Sequence, residues 1–119
     1  MKIVHVIIAA AYKEGYGYQE NILPAKHVEL GLDTYVISSN KEYPLGMHYI
    51  NEDRVKVIFL PRVTSIIQKI PLIRSFVKQT HGIYSKLAEL SPDIIFIHGL
   101  QCFESLDVCK YCENHPQVK

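Results

Sequence analysis

The hydrophobic positions of the chain fall into strand-like and helix-like runs that alternate along its length. Lys2–Ala9 is rich in β-branched residues and almost continuously apolar, which is typical of a strand buried on both faces. Asp33–Ser38, Val55–Leu60 and Asp93–His98 have the same character. Because these runs alternate with helical patterns, the sequence predicts a Rossmann-like α/β domain with a mostly parallel sheet and helices on both faces.

The first helix is predicted to follow a loop that contains two glycines, Tyr12–Gln19. Asn21 is the expected N-cap, which would leave Pro24 within the first turn, where the N–H groups have no partner inside the helix. The helix should end near Leu30, with Gly31 at the position after the cap that favours a left-handed conformation.

The later part of the chain gives coarser predictions. Asn40–Arg54 is polar and is predicted to be an irregular connection, whereas the chain beyond Pro61 is predicted to be helical to about Leu90, with an interruption at Pro71 and a weakening near Gly82. A last helix should cover Phe103–Asn114, with Phe103, Leu106, Cys109 and Cys112 along one side. A further strand is expected to begin at 117–119, so we expect residues 1–119 to be the first domain of a longer protein.

Composition and charge narrow the class of protein. With 119 residues, 48% of them hydrophobic and 21% charged, the chain fits one globular domain. A net charge of +1 gives no reason to expect a nucleic-acid partner. Cys102, Cys109 and Cys112 are an odd number of cysteines in one segment, which favours reduced thiols and a reducing compartment such as the cytoplasm. With His115 they could form a Cys₃His zinc site, but all four lie on one predicted helix, so a buried row of thiols without metal is expected instead.

The expected ligand site lies at the carboxyl ends of the strands. In a Rossmann-type strand order, the first and fourth predicted strands are neighbours where the order reverses. The loops that follow them, Ala10–Gln19 and His98–Gln101, should therefore face each other across a crevice.

The glycine loop supplies most of the candidate binding residues. Gly15 and Gly17 would let the backbone approach a ligand, and the helix behind them would direct its N–H groups at an anion. The alternative is that the glycines only permit a tight turn, in a loop that is solvated. The polar candidates for hydrogen bonds to sugar hydroxyls are Tyr16, Tyr18, Gln19 and Asn21.

His98 is the candidate catalytic residue. It stands at the carboxyl end of a strand that should belong to the core, just before Gly99, where the chain must turn, so its side chain should face the expected site. Gly99 is a further candidate for substrate binding. The alternative is a histidine that is packed and hydrogen-bonded. His5 is interpreted as structural, and the four others are interpreted as surface residues: His27, His48, His81 and His115.

Three stretches resemble family 4 glycosyltransferases, most closely the bacterial enzymes of capsular and surface polysaccharide synthesis. GYGYQENILP at Gly15–Pro24 and LGLDTYVIS at Leu30–Ser38 resemble the opening of that family. SPDIIFIHG at Ser91–Gly99 is similar to its fourth strand and the histidine that follows. Leu32-Asp33 departs from the family, which often has a histidine there.

This resemblance implies the amino-terminal, acceptor-side half of a GT-B enzyme that retains anomeric configuration. Its substrates would be a nucleotide-sugar and a glycan or lipid-linked acceptor, with no cofactor and no metal. The absent carboxyl-terminal domain would hold the donor and carry a paired-glutamate motif, so the fragment alone should be inactive. By the same resemblance, Gly15 and Gly17 approach the donor phosphates and acceptor, and His98 contacts the transferred sugar. The alternative is a non-enzymatic, flavodoxin-like ligand-binding or interaction domain.

A basic and apolar segment, Arg62–Gln79, has two interpretations. Its cations could contact anionic lipid and a lipid-linked acceptor on the inner face of the plasma membrane. Alternatively, its apolar residues pack on the sheet while the cations are solvated, and Pro71 argues against one continuous helix. The candidate membrane and acceptor residues are Arg62, Lys69, Arg74 and Lys78.

Overall fold

The computed structural model of the protein describes residues 1–9, 12–40, 47–62, 70 and 80–119. Eight helices and strands are defined within these residues. In chain order they are β1 (Lys2–Ile7), α1 (Gln19–Glu29), β2 (Asp33–Asn40), β3 (Met47–Ile50), β4 (Lys56–Pro61), α2 (Ile83–Leu90), β5 (Ile94–His98) and α3 (Ser105–Asn114).

The strands form one sheet in the order β3-β4-β2-β1-β5. β1 pairs in parallel with β2 on one side and with β5 on the other, and β4 continues the parallel sheet beyond β2. This α/β architecture confirms the predicted fold class. It also confirms that the order reverses next to β1, so that β1 and β5 are neighbours.

Strand β3 corrects the prediction that Asn40–Arg54 is an irregular connection. It is a four-residue edge strand that pairs antiparallel with β4. Tyr49 stacks on Phe59 with the ring centroids 6.1 Å apart, while His48 and Ile50 are exposed. The strand is held by its pairing with β4 and by the contact of Tyr49 with Phe59, but four residues give too weak an alternation to be seen in the sequence.

Alternate residues of each strand face two different apolar layers. On one face, Val4, Val6 and Ile37 pack with residues of α2 and α3. On the other face, Ile7, Val36 and Val57 pack under α1 and the loop that precedes it. Helices therefore cover both faces of the sheet, as the fold class requires.

Helix α1 begins three residues earlier than predicted. Its N-cap is Tyr18, not Asn21, and the Asn21 side-chain amide donates to the carbonyl of Lys13 at 2.7 Å. Pro24 consequently lies beyond the first turn, so its missing N–H leaves out one bond of the helix interior. Asn21 thus ties the loop to the helix instead of starting it.

The end of α1 is the glycine-terminated cap that the sequence predicts. Gly31 has φ of +79°, and its N–H donates to Val28 O at 2.9 Å. The N–H of Leu32 donates to His27 O at 3.0 Å, which completes a Schellman motif. The motif fixes His27 in the last turn of α1, on the helix end nearest the start of β2.

The region predicted to be helical from Pro61 to Leu90 is only partly so. Arg62 and Thr80 form an isolated antiparallel bridge, and α2 begins after Gly82, which has φ of +92°. The rest of the segment, 63–69 and 71–79, lies outside the described residues.

Helix α3 buries a different face from the one predicted. Glu104, Val108 and Tyr111 are buried, whereas Phe103, Leu106 and Cys109 are exposed and Cys102 and Cys112 are half-buried. The buried set follows the i, i+4, i+7 spacing of a helix that packs on one side. The thiols are free, but they do not form a buried row.

The outer edge of β5 is hydrogen-bonded to the last residue of the chain. The N–H of Ile95 donates to Lys119 O at 2.8 Å, and the N–H of Lys119 donates to Asp93 O at 3.1 Å. These two bonds have the pattern of a parallel strand pair, so Lys119 lies beside Asp93 and Ile95.

Candidate functional site

The loops that follow β1 and β5 touch at the carboxyl edge of the sheet. Gly99 has φ of +87°, and a Cβ atom at this position would lie 2.8 Å from the Cβ of Ala9. Both the backbone conformation and the close approach therefore require glycine here. This contact brings together the residues that directly follow β1 and β5, although Ala9 precedes the predicted site loop Ala10–Gln19.

Replacing Gly99 with alanine should lower the free energy of unfolding by about 2 kcal/mol, because it combines a left-handed backbone with a steric clash. Gly17→Ala is the matched control: its φ is not in the left-handed region, and nothing lies within 4 Å of its Cβ position. We expect it to change stability by less than about 0.5 kcal/mol. Urea unfolding followed by circular dichroism measures both, and equal losses would contradict this account.

A pocket of about 330 Å³ lies on the α1 face of the sheet. It is bounded by the glycine loop, one flank of α1 and the turn between β3 and β4. Its lining residues are Tyr12, Glu14, Gly15, Tyr16, Gly17, Asn21, Ile22, Ala25, Lys26, Asn51 and Asp53.

Buried hydrogen bonds fix the base of the glycine loop. The N–H of Tyr12 donates to the Ser38 hydroxyl at 3.0 Å, and that hydroxyl donates to Ile7 O at 2.7 Å. Ser38 therefore fastens the loop to the ends of β1 and β2. This role explains a serine at a position where a dinucleotide-binding fold carries an acidic residue.

Asn51 fastens the other wall of the pocket to the same loop. Its Nδ2 donates to the Tyr12 hydroxyl at 2.8 Å, and its Oδ1 accepts from the N–H of Val55 at 2.8 Å. Asn51, Tyr12 and Val55 are all buried. Because a buried polar group needs its partners, this network holds the loop and the β3–β4 turn at a fixed separation.

The pocket presents more negative than positive groups. Glu14 and Asp53 contribute carboxylates, and Lys26 contributes one cation. Burial raises the pKa of Tyr12, and the charges of Glu14 and Asp53 raise it further, against the lowering effect of its hydrogen bond with Asn51. Tyr12 thus remains a neutral phenol, able to donate and accept hydrogen bonds.

The predicted binding residues divide between the pocket wall and its rim. Gly15, Tyr16, Gly17 and Asn21 line the pocket, and Gly15 has φ of +78°. Tyr18 is 63% exposed and stacks on Tyr16, with ring centroids 5.6 Å apart. Gln19 is the exposed first residue of α1. The sequence did not identify Asn51 or Asp53, because they lie in the segment predicted to be irregular.

His98 belongs to a chain of three histidines on the same face of the sheet. Its Nε2 lies 2.9 Å from His5 Nδ1, and His5 Nε2 lies 3.0 Å from His27 Nδ1. The His5 ring stacks on Phe96 at a centroid distance of 5.2 Å and an angle of 13°. We call His5, His27 and His98 the histidine trio. His27 was predicted to be a surface residue, but it is half-buried and bonded to His5.

Burial disfavours a positive charge at the centre of the trio. It lowers the pKa of His5 to about 3, with further lowering by the charges of His98 and His27. Burial also lowers the pKa of His98, against the raising effect of the Glu20 carboxylate. The central ring is therefore neutral at physiological pH, whereas the outer rings are only half-buried.

Helix α1 separates the trio from the pocket. Ile22, Ala25 and Lys26 face the pocket, whereas Glu20 and His27 are about 150° away around the helix, since each residue turns the helix by about 100°. Within the described part of the chain, the pocket therefore does not combine the glycine loop with His98. The single crevice predicted from the strand order becomes two neighbouring sites.

The remaining predictions concern membrane contact and metal. Arg62 is half-buried and is paired with Thr80, and Lys69, Arg74 and Lys78 lie outside the described residues. Among the helices that the structure describes, none has the length and apolarity needed to cross a membrane. In the same residues, no three histidine, cysteine or acidic side chains converge as metal ligands.

Comparison with known proteins finds no match: no family model, no curated protein and no solved structure is similar to this chain at a significant level.

Proposed function

We propose that this chain is the acceptor-side domain of a retaining glycosyltransferase, which moves a sugar from a nucleotide-sugar to a glycan or lipid-linked acceptor. The observation that carries the proposal is the pocket on the α1 face. Its position beside the glycine loop agrees with the resemblance of that loop to family 4 glycosyltransferases. A second, donor-binding domain would complete the enzyme.

The chemistry of the pocket suits a neutral sugar. Glu14 and Asp53 accept hydrogen bonds from hydroxyls, while Tyr12 can also donate. Ile22, Ala25 and the Tyr16 ring supply apolar surface for the C–H face of a sugar ring. A diphosphate would meet two carboxylates against one lysine, which is unfavourable. We therefore assign the acceptor to this pocket and leave the donor phosphates to the partner domain.

His98 is proposed to contact the transferred sugar, as the resemblance implies. It stands at the carboxyl end of β5, next to the contact between Gly99 and Ala9. Sugar transfer of this kind needs stabilisation of developing charge by groups already in position. We place the reaction in the cytoplasm, at the inner face of the membrane if the segment Arg62–Gln79 contacts a lipid-linked acceptor.

Titration of the isotope-labelled chain with maltose, a neutral disaccharide, tests the pocket. We expect binding on the order of millimolar, with NMR shifts concentrated at Gly15, Gly17 and Asn21. Glu14→Gln should weaken binding about fivefold, because a charged acceptor becomes a neutral one. Glu113→Gln, at an exposed position of α3, is the control and should leave the affinity unchanged. Shifts caused by a nucleoside diphosphate but not by neutral sugars would contradict the assignment.

Sugar transfer by the whole gene product separates the enzyme from a non-enzymatic, flavodoxin-like binding domain. We expect transfer from a nucleotide-sugar by that product and none by residues 1–119 alone. His98→Ala should lower kcat more than it raises KM, because a contact at the reacting sugar acts mainly in the transition state. Maltose binding without any transfer by the whole product would favour the binding domain.

A further inference from the structure

The histidine trio connects two strands and one helix, and each of them contributes one histidine side chain. His5 comes from the middle of β1, His27 from the last turn of α1 and His98 from the end of β5. Phe96 stacks on His5 and contacts His27, with centroids 5.2 and 5.4 Å apart. The arrangement is fixed by a sheet register that pairs His5 with Phe96 and Ile7 with His98.

Both ring nitrogens of His5 are engaged, which restricts the protonation states of all three rings. Each of the two nitrogen–nitrogen contacts holds one hydrogen, and three neutral imidazoles carry three hydrogens in total. The third hydrogen must then be on His98 Nδ1 or on His27 Nε2. The neutral trio therefore has two arrangements, and they differ in whether His98 Nδ1 is a donor or an acceptor.

We propose that His5 and His27 are positioning residues for His98: the three rings act as one hydrogen-bonded unit that takes up a single proton and sets the state of His98 Nδ1. One added proton fills the vacant outer nitrogen and leaves both contacts intact. A second proton would need five hydrogens on six nitrogens, so one contact would have to break. Only the assignment of His98 to a sugar rests on the proposed function.

The surroundings of the trio support uptake at its ends and not at its centre. His5 is fully buried, and its lowered pKa agrees with a neutral central ring. The outer rings are half-buried, and the carboxylate whose charge acts on His98 is that of Glu20. A proton that arrives at one outer nitrogen can leave from the other when both internal hydrogens shift, with His5 neutral before and after.

Because the rings are coupled, a ligand that binds His98 Nδ1 also determines the tautomer of His27. A hydroxyl that donates to His98 Nδ1 selects the arrangement with a bare Nδ1, and His27 Nε2 then carries the hydrogen. A ligand oxygen that only accepts selects the opposite arrangement. Replacing His27, which lies at the far end of the trio, should thus alter His98 without touching the ligand.

Nitrogen-15 NMR of the imidazole rings in the 119-residue chain, recorded without ligand from pH 8 to pH 5, tests the proposal. Each ring reports its tautomer and its fraction of added proton. We expect the fractions on His27 and His98 to add up to one proton across this range, while His5 stays neutral. If the outer rings were not coupled, the fraction on each would rise independently of the other, and a sum of the two that exceeds one proton would overturn the proposal.

Two substitutions sharpen this test, and neither depends on sugar binding. In His27→Leu the whole proton should appear on His98, and in His5→Leu His27 and His98 should each take up a proton, for a total of two. His48→Gln, at an exposed position on β3, should leave the total at one. If His5→Leu does not fold, His27→Leu still decides: an unchanged fraction on His98 would refute the coupling. Loss of maltose binding would not affect this result.

Discussion

Acidification from pH 6.5 to pH 4.5 is expected to lower the free energy of unfolding by about 2 kcal/mol through His5 alone. The pKa of His5 is about 3 in the folded protein, against 6.5 for an ordinary histidine. Between these values the unfolded chain binds a proton at His5 that the folded chain does not. Stability is therefore complete above pH 6.5 and falls by about 1.4 kcal/mol for each pH unit below it.

The substitution His5→Leu isolates this effect. Leucine is close to histidine in size and does not titrate, so the variant should lose most of the dependence on pH in this window. At neutral pH it gives up two hydrogen bonds, but the outer histidines are half-buried and can bind water instead. The effect of His5 therefore appears in the slope of stability against pH more than in its value at pH 7.

Urea unfolding followed by circular dichroism at pH 7.5, 6.5, 5.5 and 4.5 provides the measurement. His48→Gln is the control, because it removes an exposed histidine and should retain the slope of the original protein. A flat profile in the original protein, or an equally steep one in His5→Leu, would show that His5 is free to accept a proton in the folded state. The window ends at pH 4.5, since carboxylates protonate below it and add slopes of their own.

The parts of the fold that could be predicted are those where one continuous pattern decides the structure. The β-branched run of β1 is buried on both faces, and Gly31 ends α1 because only glycine readily adopts its conformation. The run of β5 was predicted to belong to the core, but as an edge strand of the described sheet it is half-buried, with Phe96 exposed. The sequence correctly predicted that β1 and β5 are neighbours. Strand β3 escaped prediction because its four residues are too few for a recognisable alternation.

The candidate site was harder to predict, because it depends on which flank of α1 faces which strand. His27 was interpreted as a surface residue because nothing in the sequence around it indicates a contact, whereas in the structure it lies against His5. One signal was present in the sequence: His5 interrupts a buried run, and a buried imidazole needs partners for both nitrogens. His98 is one of these partners of His5. The other partner, His27, could not be predicted, because the local sequence does not determine which side of α1 faces the sheet.

The network around Asn51 should be the most sensitive point of the pocket. Asn51→Leu keeps the volume roughly constant but removes both side-chain hydrogen bonds. The N–H of Val55 and the Tyr12 hydroxyl, both buried, then lose the partners that Asn51 supplied. Since each buried polar group without a partner costs about 1–3 kcal/mol, we expect the free energy of unfolding to fall by about 3 kcal/mol.

The chain contains a matched control for this substitution. The side-chain amide of Asn114 donates to the Tyr84 hydroxyl at 3.1 Å, so the pair has the same chemistry as Asn51 and Tyr12, but Asn114 is exposed. Water replaces the lost partner there, and Asn114→Leu should change stability by less than about 0.5 kcal/mol. The difference between the two variants measures the effect of burial and not that of an asparagine–tyrosine hydrogen bond as such.

A double-mutant cycle separates the two bonds of Asn51. Tyr12→Phe removes only the hydroxyl and should cost about 1 kcal/mol, and its combination with Asn51→Leu should cost less than the sum by about 1 kcal/mol. Additive losses would mean that Asn51 and Tyr12 are not coupled, and that the other contacts of the glycine loop, including those of Ser38 and Asn21, hold it without Asn51.

Maltose affinity adds a second measurement. If Asn51 holds the two walls at a fixed separation, Tyr12→Phe should weaken binding even under conditions where the variant is fully folded, because the loop is then free to move away from the β3–β4 turn.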